Sequence, residues 1–167
     1  MGRTLPLLIL LGVLGASGCA STGAVPAPFP QPQPSHTAAP RAGEEVSRPA
    51  LVGTALSLRG APYRNGGSDP AGFDCSGFVA YVFAQQGLYM PRTVSEQYEQ
   101  GQRVADDSIE PGDLVFFSTV APGPSHVGIA ISADEFVHAP SSSGVVRIEP
   151  VRASYWASRL VGVRRIR

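Results

Sequence analysis

Lysine is absent from this 167-residue chain, and so is any excess of charge, because 13 basic residues, all of them arginine, balance 13 acidic ones. No run of basic residues is present that would follow a phosphate backbone or bind an anionic membrane surface. The sequence therefore argues against nucleic acid as a partner. We attribute the missing lysine to codon usage rather than to chemistry.

Long hydrophobic runs are absent as well. The apolar segment 5–14 is too short to cross a bilayer core of roughly 30 Å. Arg3 before this segment and the small residues 16–18 after it are typical of a secretory signal peptide. Cys19 follows directly, and the junction resembles the lipobox of bacterial lipoproteins, although Ala16 stands where Leu is usual. The resemblance implies a diacylglycerol on the Cys19 thiol; a plain cleaved signal with an incidental cysteine is the alternative.

Bulky apolar side chains are scarce in the next segment, where Pro, Ala, Ser and Gln dominate. Such a segment cannot form a core, so we expect a disordered, partly polyproline linker of about 3.1 Å per residue where it is extended. His36 lies in this linker and is expected to be solvated. The predicted organisation is a signal peptide (1–18), the lipidated cysteine with its linker (19–48) and one domain (49–167). Roughly 120 residues are enough for one hydrophobic core.

Signals for helices precede signals for strands in this domain. A first helix is predicted from about Ser47, a second after Asp74, and a third from Thr93, which forms a capping-box pattern with Glu96. The second half contains five short predicted strands, 114–118, 126–131, 135–139, 145–149 and 160–166. Helices followed by a run of strands indicate an α+β domain with a mainly antiparallel sheet.

Cys75 is the single cysteine of the predicted domain, and it lies at the start of the second helix. Unpaired backbone N–H groups and the helix dipole favour a thiolate there, which predicts a depressed pKa for Cys75. Gly77 is expected to leave the first turn open to a substrate. Alternatively, Cys75 is a small core residue. It could also form a disulfide with Cys19, and the thiol would then be consumed.

His126 and His138 are the two histidines of the domain, and both lie on predicted strands. If these strands pair about Ser132, the two side chains come nearly opposite each other on one face, with Cβ atoms roughly 4.5–5.5 Å apart. One imidazole can then take the proton of a thiol while the other orients it, which gives a nucleophile, a base and an orienting group. The alternative is that the two histidines are only polar residues at the edge of a sheet. A metal site is disfavoured because a fourth ligand is missing.

These residues lie in segments that resemble a known family. The segment 73–79 resembles the nucleophile motif of the NlpC-type cell-wall cysteine peptidases, 125–129 resembles the strand with the base, and 136–139 resembles the strand with the third polar residue. Further matching motifs occur in the family's order at 62–63, 66–67, 91–93 and 111–117. The resemblance covers about residues 50–166.

The resemblance implies a papain-like fold, in which the cysteine-bearing helix packs on a five- to six-stranded, mainly antiparallel sheet. It implies hydrolysis of peptidoglycan stem peptides at bonds of D-glutamate or D-alanine with diaminopimelate, through a thioester on Cys75. His126 would act as base and then acid, and His138 would orient it. The other residues that the resemblance assigns lie at the substrate: Tyr63 supports the oxyanion, and Asp74, Ser76 and Ser125 line the cleft.

The expected partners follow from these assignments. We expect a monomer that binds stem peptides without a metal or cofactor and is held to a membrane through its N-terminal lipid. Ala20 stands after Cys19 where Asp often signals inner-membrane retention, so we expect the outer membrane, with the domain facing the periplasm. A non-catalytic wall-binding lipoprotein, and an amidase or acyltransferase that uses the same Cys/His site, are the alternatives.

Overall fold

The computed structural model of the protein describes residues 46–167, together with Gly2. The predictions for the signal peptide, for Cys19 and for nearly all of the linker lie outside the described residues. Within the described part, every helix is too short or too polar to cross a membrane.

Four helices and eight strands form the region 46–167. The helices are α1 (Arg48–Ser57), α2 (Cys75–Ala84), α3 (Val94–Tyr98) and α4 (Ser154–Ala157). The strands are β1 (Ser68–Asp69), β2 (Gly72–Phe73), β3 (Gln102–Val104), β4 (Leu114–Phe117), β5 (His126–Ala130), β6 (Glu135–His138), β7 (Arg147–Pro150) and β8 (Leu160–Arg165). The predicted helix starts agree with these bounds, although the Ser47 side chain makes no capping hydrogen bond.

Six of the strands form one sheet in the order β3-β8-β4-β5-β6-β7, and all neighbouring strands are antiparallel. Strands β1 and β2 form a separate ribbon that leads into α2. The predicted α+β fold, with the cysteine-bearing helix packed on a five- to six-stranded antiparallel sheet, is therefore confirmed. The five predicted strands correspond to β4–β8, whereas β3 was not predicted because its residues are largely exposed and show no apolar alternation.

Each face of the sheet has its own apolar core. Helices α1 and α2 pack on one face, which buries Leu51, Phe78 and Val82 against Phe116 and Ile129 of the sheet. The opposite face carries a smaller core, listed here as Ile109, Val115, Phe117, Ala130, Phe136, Val151, Val163 and Trp156 of α4. The sheet is thus covered on both sides, and the start of α2 lies against β5 and β6.

Candidate active site

Cys75 is the first residue of α2, and its position is fixed by the residue before it. The Asp74 carboxylate caps the helix by accepting hydrogen bonds from the backbone N–H of Gly77 at 2.7 Å and of Gly66 at 3.0 Å. The thiol is partly buried, and the backbone N–H groups of Cys75 itself, Ser76 and Val127 lie close enough to its sulfur to lower its pKa. Two of these donors belong to the helix start, and the third belongs to β5.

The pKa of the Cys75 thiol lies above its usual value, so the predicted depression is wrong for the free protein. Burial raises the pKa most, and the neighbouring Asp74 carboxylate raises it further. The backbone N–H donors of Ser76, Val127 and Cys75 lower the pKa but do not outweigh these two causes. The sulfur is therefore held as a thiol at neutral pH and needs a base at the moment of reaction.

The two histidine rings meet, as the sequence predicted. Nε2 of His126 lies 2.7 Å from Nδ1 of His138, and the rings are perpendicular, with an interplanar angle of 86°. The predicted register is wrong by two residues, because the turn is centred on Ala133 and pairs Ile129 with Val137. Extending that register places His138 opposite Gly128, so the histidines are diagonal neighbours on the same face. A register shift by an even number of residues leaves each side chain on the same face of the sheet.

Gly128 is what permits this diagonal contact. A Cβ atom at Gly128 would lie 2.5 Å from the Phe136 ring and 3.0 Å from the Cβ of His138. Its absence leaves room for the side chain of His138 beside β5.

The thiol lies where β5 and β6 part. The pairing of these strands ends at Ile129 with Val137, and the backbone N–H of Val127, two residues before that pair, lies near the Cys75 sulfur. The sulfur is thus close to the residue that follows His126 in the chain. No hydrogen bond among residues 46–167 joins the thiol to either imidazole, and such catalytic contacts often tighten only when substrate binds.

The contact between the rings determines which tautomer can act as a base. If Nε2 of His126 carries the proton and donates it to Nδ1 of His138, then Nδ1 of His126 keeps a free lone pair. His138 then carries its own proton on Nε2, an atom that is buried and has no partner in the described region. In this arrangement an imidazolium at His126 remains hydrogen-bonded to His138.

Burial keeps both rings neutral. The pKa of His126 lies below that of a free histidine because the ring is desolvated, and its residue is only 8% exposed. The pKa of His138 is lowered by burial first, then by His126 and by Arg147, which pairs with it across β6 and β7. A neutral His126 is the form that can accept a proton.

Asp74 and Ser76, which the resemblance places at the substrate, already bind a side chain of the protein. The Arg92 guanidinium donates to Oδ1 of Asp74 at 2.9 Å and to Oγ of Ser76 at 2.8 Å. Gln97 is fully buried and ties Pro91 to the first turn of α2, since its amide donates to the carbonyls of both Pro91 and Ser76. The predicted substrate roles of Asp74 and Ser76 stay predictions.

Arg92 and Gln97 were not assigned roles from the sequence. Arg92 lies within the matched segment 91–93. Gln97 follows that segment and lies in the third helix. Neither position shows that two chain segments meet at the cysteine.

Tyr63 lies near enough to Cys75 for the two side chains to interact electrostatically. Its backbone is held by a hydrogen bond to the Gly144 carbonyl at 2.7 Å and by a bridge to Phe73. The pKa of Tyr63 is raised by burial first and then by Cys75 and Asp74, so the hydroxyl stays protonated near the sulfur. The hydroxyl therefore keeps a proton that it can donate, and its predicted support of an oxyanion stays a prediction.

Ser125 takes part in closing the loop before β5. Its hydroxyl accepts from the backbone N–H of Thr119 at 2.8 Å and of Val120 at 3.3 Å, and it donates to the Ala121 carbonyl at 3.2 Å. The predicted contact of Ser125 with substrate is not tested, but the hydroxyl is already engaged within the loop.

The described residues contain no cluster of three or more His, Cys, Asp or Glu side chains that would hold a metal ion. The described side chains offer a partly buried thiol, a neutral imidazole pair and backbone N–H groups near the sulfur.

Gly77 has a different role from the one predicted. A Cβ atom there would overlap the Gly67 carbonyl oxygen, so glycine allows the start of α2 to approach the loop of its own chain rather than a substrate. We expect Gly77→Ala to reduce the free energy of unfolding by at least about 2 kcal/mol, because backbone must move. Denaturant unfolding measures this change.

The matched control is Gly53→Ala in α1. Space is open around Gly53, so alanine there should raise the free energy of unfolding by about 0.5–1 kcal/mol through its higher helix propensity. Equal effects of the two substitutions would contradict the proposed packing of Gly77.

Comparison with known proteins agrees with this architecture. A model of the NlpC/P60 family matches residues 60–165. The chain is 46% identical over 118 residues to the γ-DL-glutamyl hydrolase of Bacillus subtilis strain 168, an alignment that covers 69% of this chain and 28% of that protein. It is 45% identical over 109 residues to the murein DD-endopeptidase MepS/murein LD-carboxypeptidase of Escherichia coli strain K12, which covers 65% of this chain and 57% of that protein.

Solved structures give the same result. The crystal structure of the NlpC/p60 domain of the peptidoglycan hydrolase SagA has a TM-score of 0.65 and 32% identity, and the match covers 72% of this chain and all of that domain. An NlpC/P60 protein from Bacillus cereus ATCC 10987 has a TM-score of 0.66 and 30% identity, and the match covers 71% of this chain and 40% of that one. The chain thus spans between about a quarter and just over half of the curated relatives' length, and it belongs to the NlpC/P60 family.

Proposed function

We propose that this protein is a peptidoglycan endopeptidase that cleaves amide bonds of stem peptides through a thioester on Cys75. The observation that carries the proposal is a partly buried thiol at a helix N-terminus, near the strand pair that bears two neutral, hydrogen-bonded imidazoles. The names of the relatives support the substrate class, since they include a murein endopeptidase and a γ-DL-glutamyl hydrolase. Bonds of D-glutamate or D-alanine with diaminopimelate are the expected targets.

The first half of the reaction forms the thioester. Nδ1 of His126 takes the thiol proton as the sulfur of Cys75 attacks the carbonyl carbon of the substrate. The carbonyl oxygen becomes an oxyanion, which we expect the backbone N–H of Cys75 and the hydroxyl of Tyr63 to stabilise. The imidazolium gives its proton to the leaving amine, the C–N bond breaks, and an acyl group remains on the sulfur.

The second half returns the enzyme to its starting state. Water gives a proton to Nδ1 of His126 as its oxygen attacks the thioester carbon. The C–S bond then breaks, a carboxylic acid is released, and the sulfur recovers the proton from His126. Throughout, His138 accepts from Nε2 of His126 and holds the ring in one tautomer.

The pH dependence follows from the lowered pKa of His126 and the raised pKa of Cys75. As pH rises, kcat/KM should increase when His126 loses its proton, at a pH below the free-histidine value of about 6.5. It should stay level until the thiol titrates above its usual range. The rate of Cys75 alkylation by iodoacetamide should therefore still rise with pH above about 8.5, the usual thiol value. An alkylation rate that is already constant at neutral pH would show a preformed thiolate and contradict this mechanism.

Digestion of defined muropeptides tests the proposed function. We expect the purified domain to release products with a new carboxyl group and a new amine at a D-glutamyl or D-alanyl bond to diaminopimelate, identified by mass spectrometry. Transfer of the acyl group to an added amine, or release of ammonia alone, would instead indicate an acyltransferase or an amidase. Binding of the muropeptides without any product would indicate a wall-binding protein.

We further propose that the domain is attached to a membrane through Cys19. The lipobox-like junction at residues 16–19 supports attachment, and Ala20 after the cysteine supports the outer membrane facing the periplasm. Metabolic labelling with a fatty-acid analogue should mark the full chain and should not mark a Cys19→Ala variant.

A further inference from the structure

Trp156 is the single tryptophan of the chain, and it lies against both histidines. Its ring stacks on His126, with a centroid distance of 5.5 Å and an interplanar angle of 26°. It meets His138 edge to face, at 5.0 Å and 89°. One flat side chain thus contacts the two rings whose hydrogen bond determines which nitrogen of His126 can act as a base.

The indole itself is held on its far side. Nε1 of Trp156 donates a hydrogen bond to Oε2 of Glu149 on β7, and the same carboxylate accepts from Nε of Arg147 at 2.9 Å. Phe117 and Phe136 pack on the indole at centroid distances of 4.8 and 5.1 Å. The residue is only 6% exposed, so neither translation nor rotation of its ring is free.

We propose that Trp156, anchored by Glu149, is a positioning residue that fixes the plane of the His126 ring and excludes water from its hydrogen bond with His138. The inference rests on the proposed function, because it takes His126 as the base. A stacked ring resists tilting of the His126 ring out of its plane, and the hydrogen bond to His138 then fixes the direction of Nε2 within that plane. An aromatic face is only a weak hydrogen-bond acceptor, so it excludes water while competing little for the proton of either imidazole.

The surroundings of the histidines show why Trp156 is needed. On β7, Arg147 lies across from His138 and Glu149 is occupied by Arg147 and the indole. Helix α2 contributes the Cys75 thiol, which lies near the backbone of Val127 on β5. None of these groups makes a hydrogen bond to the His126 ring. The His126 ring is therefore oriented by two contacts, the hydrogen bond to His138 and the face of Trp156.

Substitution of Trp156 tests this role. Trp156→Leu removes the aromatic face, whereas Trp156→Phe keeps a smaller face and loses the bond to Glu149. Phe83→Leu is the matched control, because Phe83 is a fully buried aromatic residue at the far end of α2 from Cys75. Each protein is measured for kcat and KM on muropeptides across pH, for the pKa of the His126 ring by NMR, and for unfolding.

We expect Trp156→Leu to lower kcat by roughly tenfold to a hundredfold while KM changes by less than about twofold. The pKa of the His126 ring should rise towards about 6.5 as water reaches the ring. The acid limb of the kcat/KM profile should shift to higher pH with it. Trp156→Phe should show smaller changes in the same direction. Phe83→Leu should lose stability without moving the pKa or the acid limb.

If Trp156→Leu does not fold, Trp156→Phe is judged by the same criteria. Variants that lose only stability, with the ring pKa and the pH profile of the parent protein, would show that Trp156 merely fills the core and would overturn the proposal. A parent protein without hydrolytic activity would refute the proposed function instead, and the NMR measurement would still decide the role of Trp156.

Discussion

Replacing Cys75 with alanine should reduce hydrolysis of muropeptides by at least about a thousandfold, because the covalent step loses its nucleophile. The side chains around the site should keep their places, since Asp74 caps α2 through its own carboxylate and binds Arg92. The measurement is the initial rate of product release, followed by chromatography and mass spectrometry. The cost in stability should stay near about 1 kcal/mol, typical of a point substitution.

His126→Gln provides the companion variant. Glutamine retains polarity at the site but has no imidazole nitrogen to accept the thiol proton, so activity should fall by about a hundredfold or more. Retention of parental activity by Cys75→Ala would exclude a thioester mechanism, whatever the result for His126.

The largest loss of stability is expected at Asp113, which is fully buried directly before β4. Its carboxylate accepts two hydrogen bonds at 2.8 Å from the Arg165 guanidinium and lies 3.4 Å from Nη1 of Arg48. It also accepts from the backbone N–H of Glu110 at 2.9 Å. These bonds join α1, the turn before β4 and the end of β8. Asp113→Ala should therefore lower the free energy of unfolding by about 3 kcal/mol, as measured by urea denaturation.

Glu110→Gln is the matched control, since Glu110 pairs with the same two arginines, at 3.5 Å to Arg48 and 3.1 Å to Arg165. Its side chain is 55% exposed, so solvent screens the pair and the loss should stay below about 1 kcal/mol. If the two substitutions cost the same, the Asp113 network would be no more than a surface ion pair.

Local signals in the sequence predicted most of the fold. Asp74 and Thr93 both cap helices as predicted, and the capping box of Thr93 with Glu96 is formed. Short segments bounded by turn residues predicted the strands from β4 to β8 to within two residues. These signals suffice because caps and turns act within a few residues of themselves.

Other features depend on residues distant in the chain. The register of β5 and β6 was wrong by two residues because the sequence does not show which residue of the turn lies at its centre. Helix α4 has four residues, too few for a periodic pattern, so Trp156 could not be placed beside the histidines. The sign of the pKa shift of Cys75 was wrong because burial and the Asp74 carboxylate outweigh the helix terminus, and burial is a property of the packed structure.

The most direct test of the central claim is the mass of the enzyme itself during turnover. Acid quenching within the steady state, followed by intact-mass and peptide analysis, should reveal an acyl adduct equal to the carboxyl-side fragment of the muropeptide, located on Cys75. The Cys75→Ala protein should carry none. Normal turnover without an adduct at any sampled time, together with an active Cys75→Ala protein, would contradict the account.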